Sequence, residues 1–187
     1  MSYLSFPGFI SDELCSFLIE YYEDNYDIVL QNPEEVPQAD SFRYKVMWYN
    51  SIESQEYRKI LDYVSNRTYD KIKDYYNVNV ERDALQIVRW EPGDKMELHA
   101  DNAFYPTGEP NNTAFRTHSS IIFLNDDFGG GQFYFERFGN VIPKTGTLII
   151  FPSDIKYAHG VRKVYNHNRY TIASWYTDQE KYWIKKT

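Results

Sequence analysis

The sequence predicts a mainly β fold of the α+β class, a jelly roll of two facing sheets with N-terminal helices packed on one sheet. After residue 83, short segments rich in β-branched and aromatic residues alternate with turn residues. Before residue 83, apolar residues recur at helical spacing. The length of 187 residues is typical of a single domain, with a helical part at 1–82 and a β core at 83–187.

Two helices are predicted in the N-terminal part. Ser11 is placed to cap the first helix, because Asp12 and Glu13 follow it and suit the positive end of a helix dipole. The second helix is expected from about Ser51 to Tyr76, with a break at Asn66.

Two polar segments that carry prolines, Asp27 to Arg43 and Asn102 to Phe115, are predicted to be loops over a ligand site. A short strand is expected beside the first loop. In the second loop, Phe104, Tyr105 and Phe115 either contact a substrate or fill the interior of an ordered loop.

The β core is predicted from segments that turn residues separate. Besides a strand around Ile87, these segments are Ser119 to Leu124, Gln132 to Phe135, Thr147 to Phe151, His159 to Val164 and Arg169 to Tyr176. If Asn166-His167-Asn168 is a hairpin turn, Tyr165 lies opposite Arg169, and the odd-numbered side chains of both strands share a face.

Composition narrows the classes of function. The net charge of -7 opposes binding to a phosphate backbone or an anionic membrane. The apolar runs are far shorter than the roughly 18 residues of a membrane span, and the first residues lack the pattern of a secretory signal. Cys15 is the only cysteine, which excludes an internal disulfide and a cysteine-based zinc site. A cytoplasmic protein is therefore expected.

His99 and Asp101 are candidate metal ligands. At positions i and i+2 of an extended segment, the imidazole and the carboxylate point to the same face. The motif occurs often by chance, so a metal site needs a third ligand. His159 is the best candidate, because it opens a strand beside Gly160, which admits a close neighbour.

The sequence around the other two histidines favours ordinary structural roles for them. His167 lies in the predicted turn, where a solvated side chain is expected, and His118 begins an apolar strand, where it can hydrogen-bond within the sheet.

Two imidazoles and one carboxylate on one side of a metal leave positions open, as in the non-haem Fe(II) sites that activate oxygen. A 2-oxo acid and dioxygen would fill these positions, and a dicarboxylic acid would need a cation at its far end. Arg169 lies in a strand expected to be buried on both faces, and a buried guanidinium needs an anion. Thr171 faces the same way and could donate a hydrogen bond to the same carboxylate.

Taken in order, these motifs resemble the 2-oxoglutarate and Fe(II)-dependent oxygenases, specifically the branch that contains the prolyl 4-hydroxylases. Besides the His99-Ala100-Asp101 motif, the similar stretches are Phe9 to Cys15, Val88 to Gly93, Ile122 to Asn125, Gly129 to Phe133, Pro143 to Leu148, and His159 to Val161 followed by Arg169.

The resemblance implies a double-stranded β-helix, or cupin-like, core. It implies that His99, Asp101 and His159 bind Fe(II) and that Arg169 binds the distal carboxylate of the co-substrate 2-oxoglutarate. Such enzymes convert 2-oxoglutarate and O2 to succinate and CO2 while they hydroxylate a C–H bond, and ascorbate is a candidate reductant. The expected substrate is a prolyl or other residue of a peptide or protein. A free amino acid or another small molecule is the alternative.

Some positions depart from the family pattern. Trp90 stands where a tyrosine is common, and Phe123 stands where some relatives offer a tyrosine hydroxyl to the co-substrate. Thr171 is expected to replace that donor. Collagen-type and plant prolyl hydroxylases usually carry a lysine where this chain has Arg169, which weakens the assignment to proline.

Two alternatives lie outside this family. One is a non-catalytic jelly roll that binds sugars or builds a virion, in which the histidines only connect strands. The other is a cupin-like enzyme with a different metal and no oxo acid, which leaves Arg169 without a role.

Overall fold

A computed structural model describes residues 3–27 and 45–183 of the protein. The helices and strands, numbered in chain order, are β1 (Leu4–Phe6), α1 (Asp12–Asp24), β2 (Val46–Trp48), α2 (Gln55–Tyr76), β3 (Glu81–Trp90), β4 (Met96–His99), β5 (His118–Phe123), β6 (Gly129–Gly130), β7 (Phe133–Phe135), β8 (Gly139–Val141), β9 (Leu148–Pro152), β10 (His159–Val161), β11 (Val164–Tyr165) and β12 (Arg169–Thr177). Of the predicted loop Asp27 to Arg43, all but Asp27 lies outside the described residues.

The strands form two principal antiparallel sheets. The main sheet has six strands in the order β1-β9-β5-β12-β3-β2, and the minor sheet has four in the order β4-β10-β7-β8. Strand β11 pairs with β6 in a separate two-stranded sheet. This arrangement confirms the predicted jelly-roll core.

The main sheet separates two layers. Along β12, Tyr170, Ile172 and Tyr176 pack into the core that includes side chains of α1 and α2. The alternate residues Arg169 and Thr171 face a cavity that the minor sheet also lines. This alternation follows from the two-residue period of a strand, and it confirms that the helices pack on one sheet.

Both helices begin at serine caps. Ser11 accepts a hydrogen bond from the backbone N–H of Leu14 at 3.2 Å, as the sequence predicted. Helix α2 is capped by Ser54 and runs unbroken through Asn66, so the predicted break was wrong. The side chain of Asn66 is exposed, and a single exposed asparagine costs a helix too little to overcome the packing of its apolar face.

The predicted pairing of Tyr165 with Arg169 was also wrong. Tyr165 pairs with Gly129, whereas Arg169 lies opposite Trp90 in the main sheet. Residues 166–168 therefore carry the chain from one sheet to another, starting from Asn166 in the left-handed region with a φ of 68°. This switch of sheets places Arg169 in a central strand.

The N-terminal part contributes two strands besides its helices. Strands β1 and β2 occupy the two outer positions of the main sheet, and β1 was not predicted. A strand of three residues is too short to show a periodic pattern. Within residues 3–27 and 45–183, neither α1 nor α2 combines the length and apolar character that crossing a membrane requires.

Candidate active site

A cavity between the main and minor sheets brings the predicted site residues together. The side chains that line it include His99, Asp101, His159, Arg169 and Thr171. The histidines come from the minor sheet, Arg169 and Thr171 come from β12 of the main sheet, and Asp101 follows β4.

The two histidines are cross-strand neighbours. His99 ends β4 and pairs with His159, which begins β10, and their ring centroids are 4.3 Å apart. Each Nδ1 lies near a backbone carbonyl, at 3.1 Å from Glu97 for His99 and at 2.9 Å from Tyr157 for His159. A carbonyl only accepts, so these contacts favour a proton on each Nδ1 and leave each Nε2 free to bind a metal.

Asp101 completes a cluster of three ligands. Its Oδ1 lies 3.8 Å from Nε2 of His99, and its Oδ2 lies 3.8 Å from Nε2 of His159. One donor atom from each residue falls within 4.8 Å of the others. Strand β4 ends at His99, so Asp101 lies in a bend after the strand. The two side chains nevertheless converge, as the i and i+2 spacing suggested.

The charges in this cluster suit a divalent metal. Burial raises the pKa of Asp101, but the neighbouring His159 and His99 and hydrogen bonds from Ser119 and Trp175 together lower it below its ordinary value. Burial, and then the neighbouring His99, lowers the pKa of His159 to about 4. At neutral pH the carboxylate is therefore ionised and the His159 imidazole is neutral, and these are the forms that bind metals.

The donor set fits Fe(II). Two imidazole nitrogens and one carboxylate oxygen converge from one side, which matches the facial arrangement of non-haem iron oxygenases. No other group of three histidine, cysteine or acidic side chains comes this close within the described part of the chain.

The remaining histidines lie elsewhere. His118 is buried beside Tyr76, with their ring centroids 4.6 Å apart, and its Nδ1 lies 3.0 Å from the hydroxyl of Thr117. His167 is exposed, and its Nδ1 lies 2.9 Å from the backbone carbonyl of Asp127. Neither reaches the cluster of His99, Asp101 and His159.

Arg169 is a buried charge in the same cavity. Its side chain is fully enclosed, and its Nε and Nη1 have no hydrogen-bond partner among the described residues. Burial lowers the pKa of Arg169 to about 9, which reflects the cost of removing a cation from water when no described acidic group pairs with it.

Aromatic rings and a glycine shape the space around Arg169. Its guanidinium carbon lies 5.1 Å from the ring centroid of Trp90, 5.5 Å from that of Phe123 and 6.0 Å from that of Phe128. A side chain at Gly131 would place its Cβ 3.1 Å from Cδ of Arg169. The two aromatic departures from the family pattern, Trp90 and Phe123, therefore contact the same cation.

Thr171 lies beside Arg169 with its hydroxyl oriented by Trp90. The indole Nε1 of Trp90 donates to the Thr171 hydroxyl oxygen at 3.4 Å. Because an indole N–H only donates, the hydroxyl proton of Thr171 stays available for an acceptor in the cavity.

The loop Asn102 to Phe115 is hydrogen-bonded to the site. Thr113 donates to the backbone carbonyl of Asp101 at 2.7 Å. Phe115 stacks on Tyr182 with ring centroids 4.7 Å apart, while Phe104 is 55% exposed. Phe115 thus packs within the protein, and Phe104 is free to contact a ligand.

Sequence reasoning did not single out the supporting residues Ser119, Ser153 and Trp175. Ser119 donates to Asp101 at 2.6 Å, and Ser153 lies 2.7 Å from Ser119. These contacts join residues far apart in sequence, and no local spacing marks them.

Comparison with known proteins identifies the family. A sequence model described as the 2OG-Fe(II) oxygenase superfamily matches residues 85–177. The chain belongs to this superfamily. The matched segment contains the histidine and aspartate cluster as well as Arg169 and Thr171, so the predicted resemblance is confirmed.

Curated relatives of this superfamily member include prolyl 3-hydroxylases. The chain is 34% identical over 92 residues to prolyl 3-hydroxylase 2 of Mus musculus, which covers 43% of this chain and 13% of that protein. It is 34% identical over 115 residues to prolyl 3-hydroxylase 1 of Homo sapiens, which covers 54% of this chain and 16% of that protein. The chain thus spans only a small part of the length of these relatives.

Solved structures of the same fold include prolyl hydroxylases. A viral collagen prolyl hydroxylase from Paramecium Bursaria Chlorella virus-1, solved as its 2OG complex, aligns with a TM-score of 0.71 at 18% identity, over 95% of this chain and 96% of that chain. A prolyl-4-hydroxylase from Pseudomonas putida aligns with a TM-score of 0.66 at 16% identity, over 95% of this chain and 92% of that chain. These similarities confirm the double-stranded β-helix fold.

Proposed function

We propose that this protein is a 2-oxoglutarate- and Fe(II)-dependent dioxygenase that hydroxylates a prolyl or other residue of a peptide or protein. The observation that carries this proposal is the placement of two different binding features in one cavity. A cluster of three metal ligands and an enclosed guanidinium both line the space between the sheets.

In this assignment, His99, Asp101 and His159 would hold Fe(II) from one side and would leave it accessible to the co-substrates. When bound, Fe(II) supplies the oxidising chemistry by which 2-oxoglutarate, O2 and a C–H bond become succinate, CO2 and a C–OH group. The protein contributes ligand geometry, binding of the co-substrate and exclusion of water.

Arg169 and Thr171 bind the distal carboxylate of 2-oxoglutarate. Nε and Nη1 of the guanidinium are buried without partners among the described residues, and a guanidinium can donate two parallel N–H···O bonds to a carboxylate. The Thr171 hydroxyl, whose oxygen already accepts from Trp90, donates its proton to the same carboxylate.

The substrate class rests on the relatives. Prolyl 3-hydroxylases are similar in sequence, and a similar fold from Trichoplax adhaerens was solved in complex with a hypoxia inducible factor peptide fragment, with a TM-score of 0.67 at 18% identity. An extended peptide suits a cavity whose outer ligand, His99, has a side chain that is 36% exposed.

The single cysteine, Cys15, is buried and unpaired, which fits the reducing cytoplasm as the compartment.

A succinate assay with a substrate panel tests this function. The panel contains proline-rich peptides, the same peptides with proline replaced by alanine, and free proline. We expect Fe(II)-dependent succinate formation that the proline-rich peptides stimulate and the alanine peptides do not. Stimulation by free proline alone would establish the small-molecule alternative. An absence of succinate with every substrate, together with no binding of Fe(II), would contradict the enzyme assignment.

A further inference from the structure

Two buried serines stand behind the carboxylate of Asp101. Oγ of Ser119 lies 2.6 Å from Oδ2 of Asp101 and 2.7 Å from Oγ of Ser153. Ser119 is 1% exposed and Ser153 is 2% exposed, so water does not compete for these contacts.

The direction of the hydrogen bonds follows from the chemistry of the groups. An ionised carboxylate only accepts, so the single hydroxyl proton of Ser119 points to Asp101. Ser153 must then donate its proton to the oxygen of Ser119. Both hydroxyls are thereby oriented toward the carboxylate, and in a buried row of this kind each bond strengthens the next.

The backbone of Ser153 holds this row in place. Its N–H donates to the carbonyl of Thr117 at 3.0 Å, and its carbonyl accepts from the N–H of Asn102 at 3.2 Å. Since Asn102 directly follows Asp101, Ser153 is connected to the Asp101 segment through the backbone as well as through Ser119. Ser153, which directly follows β9, therefore holds both the backbone and the carboxylate at Asp101.

We infer that Ser119, supported by Ser153, is a positioning residue that selects which oxygen of Asp101 binds the metal. The two carboxylate oxygens are equally close to the two imidazoles, at 3.8 Å each, so these distances select neither oxygen. The Ser119 hydrogen bond engages Oδ2 and therefore favours Oδ1 as the oxygen that binds the metal. On a six-coordinate metal, binding through one oxygen would keep about three positions open for the co-substrate and dioxygen, whereas binding through both would leave about two.

This inference rests on the proposed function because it takes Asp101 as a metal ligand. Its test is metal binding, measured by calorimetry with Co(II) in the absence of 2-oxoglutarate, together with the visible absorption spectrum of the bound Co(II). The Ser119→Ala variant should bind Co(II) about 10–100-fold more weakly than the wild type, the range typical of residues that support a metal ligand. Its Co(II) spectrum should change, because the binding mode of the carboxylate changes.

Ser120→Ala is the matched control. Ser120 is also buried on β5, but its hydroxyl contacts the backbone carbonyl of Ser174 rather than Asp101. This variant should keep the affinity and spectrum of the wild type, and Ser119→Thr, which retains a hydroxyl, should restore much of both. Equal Co(II) affinity in Ser119→Ala and Ser120→Ala would overturn the inference and leave the proposed function intact. Failure of the wild type to bind Co(II) would overturn both.

Ser153→Ala tests the supporting role and protects against a Ser119 variant that does not fold. It should weaken Co(II) binding less than Ser119→Ala, because Ser119 still donates to Asp101. The double variant should be no weaker than Ser119→Ala, since the Ser153 hydroxyl acts only through Ser119 and the backbone contacts of Ser153 remain in alanine. Unchanged Co(II) binding in Ser153→Ala, or additive losses in the double variant, would contradict the inference that Ser153 supports Asp101 through its hydrogen bond to Ser119.

Discussion

Asp101 and Arg169 are two buried charges that line one cavity, but the side chains around them differ. Asp101 has two imidazoles nearby and receives hydrogen bonds from Ser119 and Trp175. Arg169 has aromatic rings around it and two nitrogens without hydrogen-bond partners among the described residues. Under the proposed function, the carboxylate is prepared to bind a metal, and the co-substrate supplies the anion that the guanidinium lacks among the described residues.

The largest expected effect comes from removing the carboxylate. Asp101→Ala should weaken Fe(II) binding by more than the roughly 100-fold upper range for supporting residues, because a ligand itself is lost, and 2-oxoglutarate turnover should disappear. Equilibrium titration with Fe(II) under anaerobic conditions measures the first effect, and succinate formation measures the second.

Asp127→Ala is the control for that variant, since the side chain of Asp127 is 70% exposed and lies outside the cavity. His99→Ala should resemble Asp101→Ala, and His167→Ala should resemble the wild type. A reversed order of these two histidine variants would move the metal site away from His99.

The next effect comes from replacing Arg169 with an apolar side chain of similar length. Arg169→Met should weaken 2-oxoglutarate binding by about 2–5 kcal/mol, because the distal carboxylate loses its buried cation. Metal affinity should stay the same, since Arg169 is not one of the three ligands. Calorimetric titration of Mn(II)-loaded protein with 2-oxoglutarate measures the first quantity, and titration of metal-free protein with Mn(II) measures the second. Arg162→Met is the control, because Arg162 is exposed and does not line the cavity.

Arg169→Met should also change the stability of the protein without ligand, in the opposite sense. Removing a buried charge that has no acidic partner among the described residues should raise the free energy of unfolding by about 1–4 kcal/mol, as replacement of buried charges by apolar side chains often does. Urea denaturation without metal or 2-oxoglutarate measures this. A destabilised Arg169→Met would indicate that an acidic group of the protein already pairs with Arg169.

A smaller effect is expected at Thr171. Thr171→Val keeps the shape of the side chain but removes a hydrogen bond to the distal carboxylate, which should weaken 2-oxoglutarate binding by about 1.5–3 kcal/mol. Thr171→Ser, which keeps the hydroxyl, should bind like the wild type. If valine and serine bind the co-substrate equally well, the hydroxyl has no part in its recognition.

The smallest effect is a pH dependence of stability at His118, a buried histidine outside the cavity. Burial lowers the pKa of His118 below its ordinary value of 6.5, although Asp178 opposes this. The unfolded chain therefore binds the proton more readily, so this contribution to stability is fully present above pH 6.5 and is lost as the pH falls below it. His118→Asn should flatten the decline in urea midpoint between pH 7 and pH 5.

The sequence predicted the cluster of His99, Asp101 and His159 better than the position of Arg169. His99 and Asp101 are two positions apart, and His159 lies beside a glycine, so local spacing was sufficient to suggest the ligand cluster. Gly160 is needed there, because a Cβ would lie 2.6 Å from the carbonyl of Met96. The location of Arg169 was predicted from a hairpin between β11 and β12 that does not form: β11 pairs with β6, and β12 lies in the main sheet.

The fold likewise contains features that a local sequence pattern predicts and features that no local pattern marks. The helix cap at Ser11 and the long strands of the core have local signals, and these were confirmed. Strand β1 and the supporting serines Ser119 and Ser153 depend on contacts between distant segments. Such contacts follow from the packed structure, and a single sequence carries no periodic pattern that marks them.

Binding of 2-oxoglutarate to the metal-loaded protein tests the central claim most directly. In calorimetric titrations, wild-type protein with Mn(II) should bind 2-oxoglutarate tightly, and either omission of Mn(II) or the Arg169→Met substitution should weaken that binding severely. Equal affinity for 2-oxoglutarate with and without the metal, or in wild type and Arg169→Met, would contradict the assignment of one ligand held between the metal cluster and Arg169.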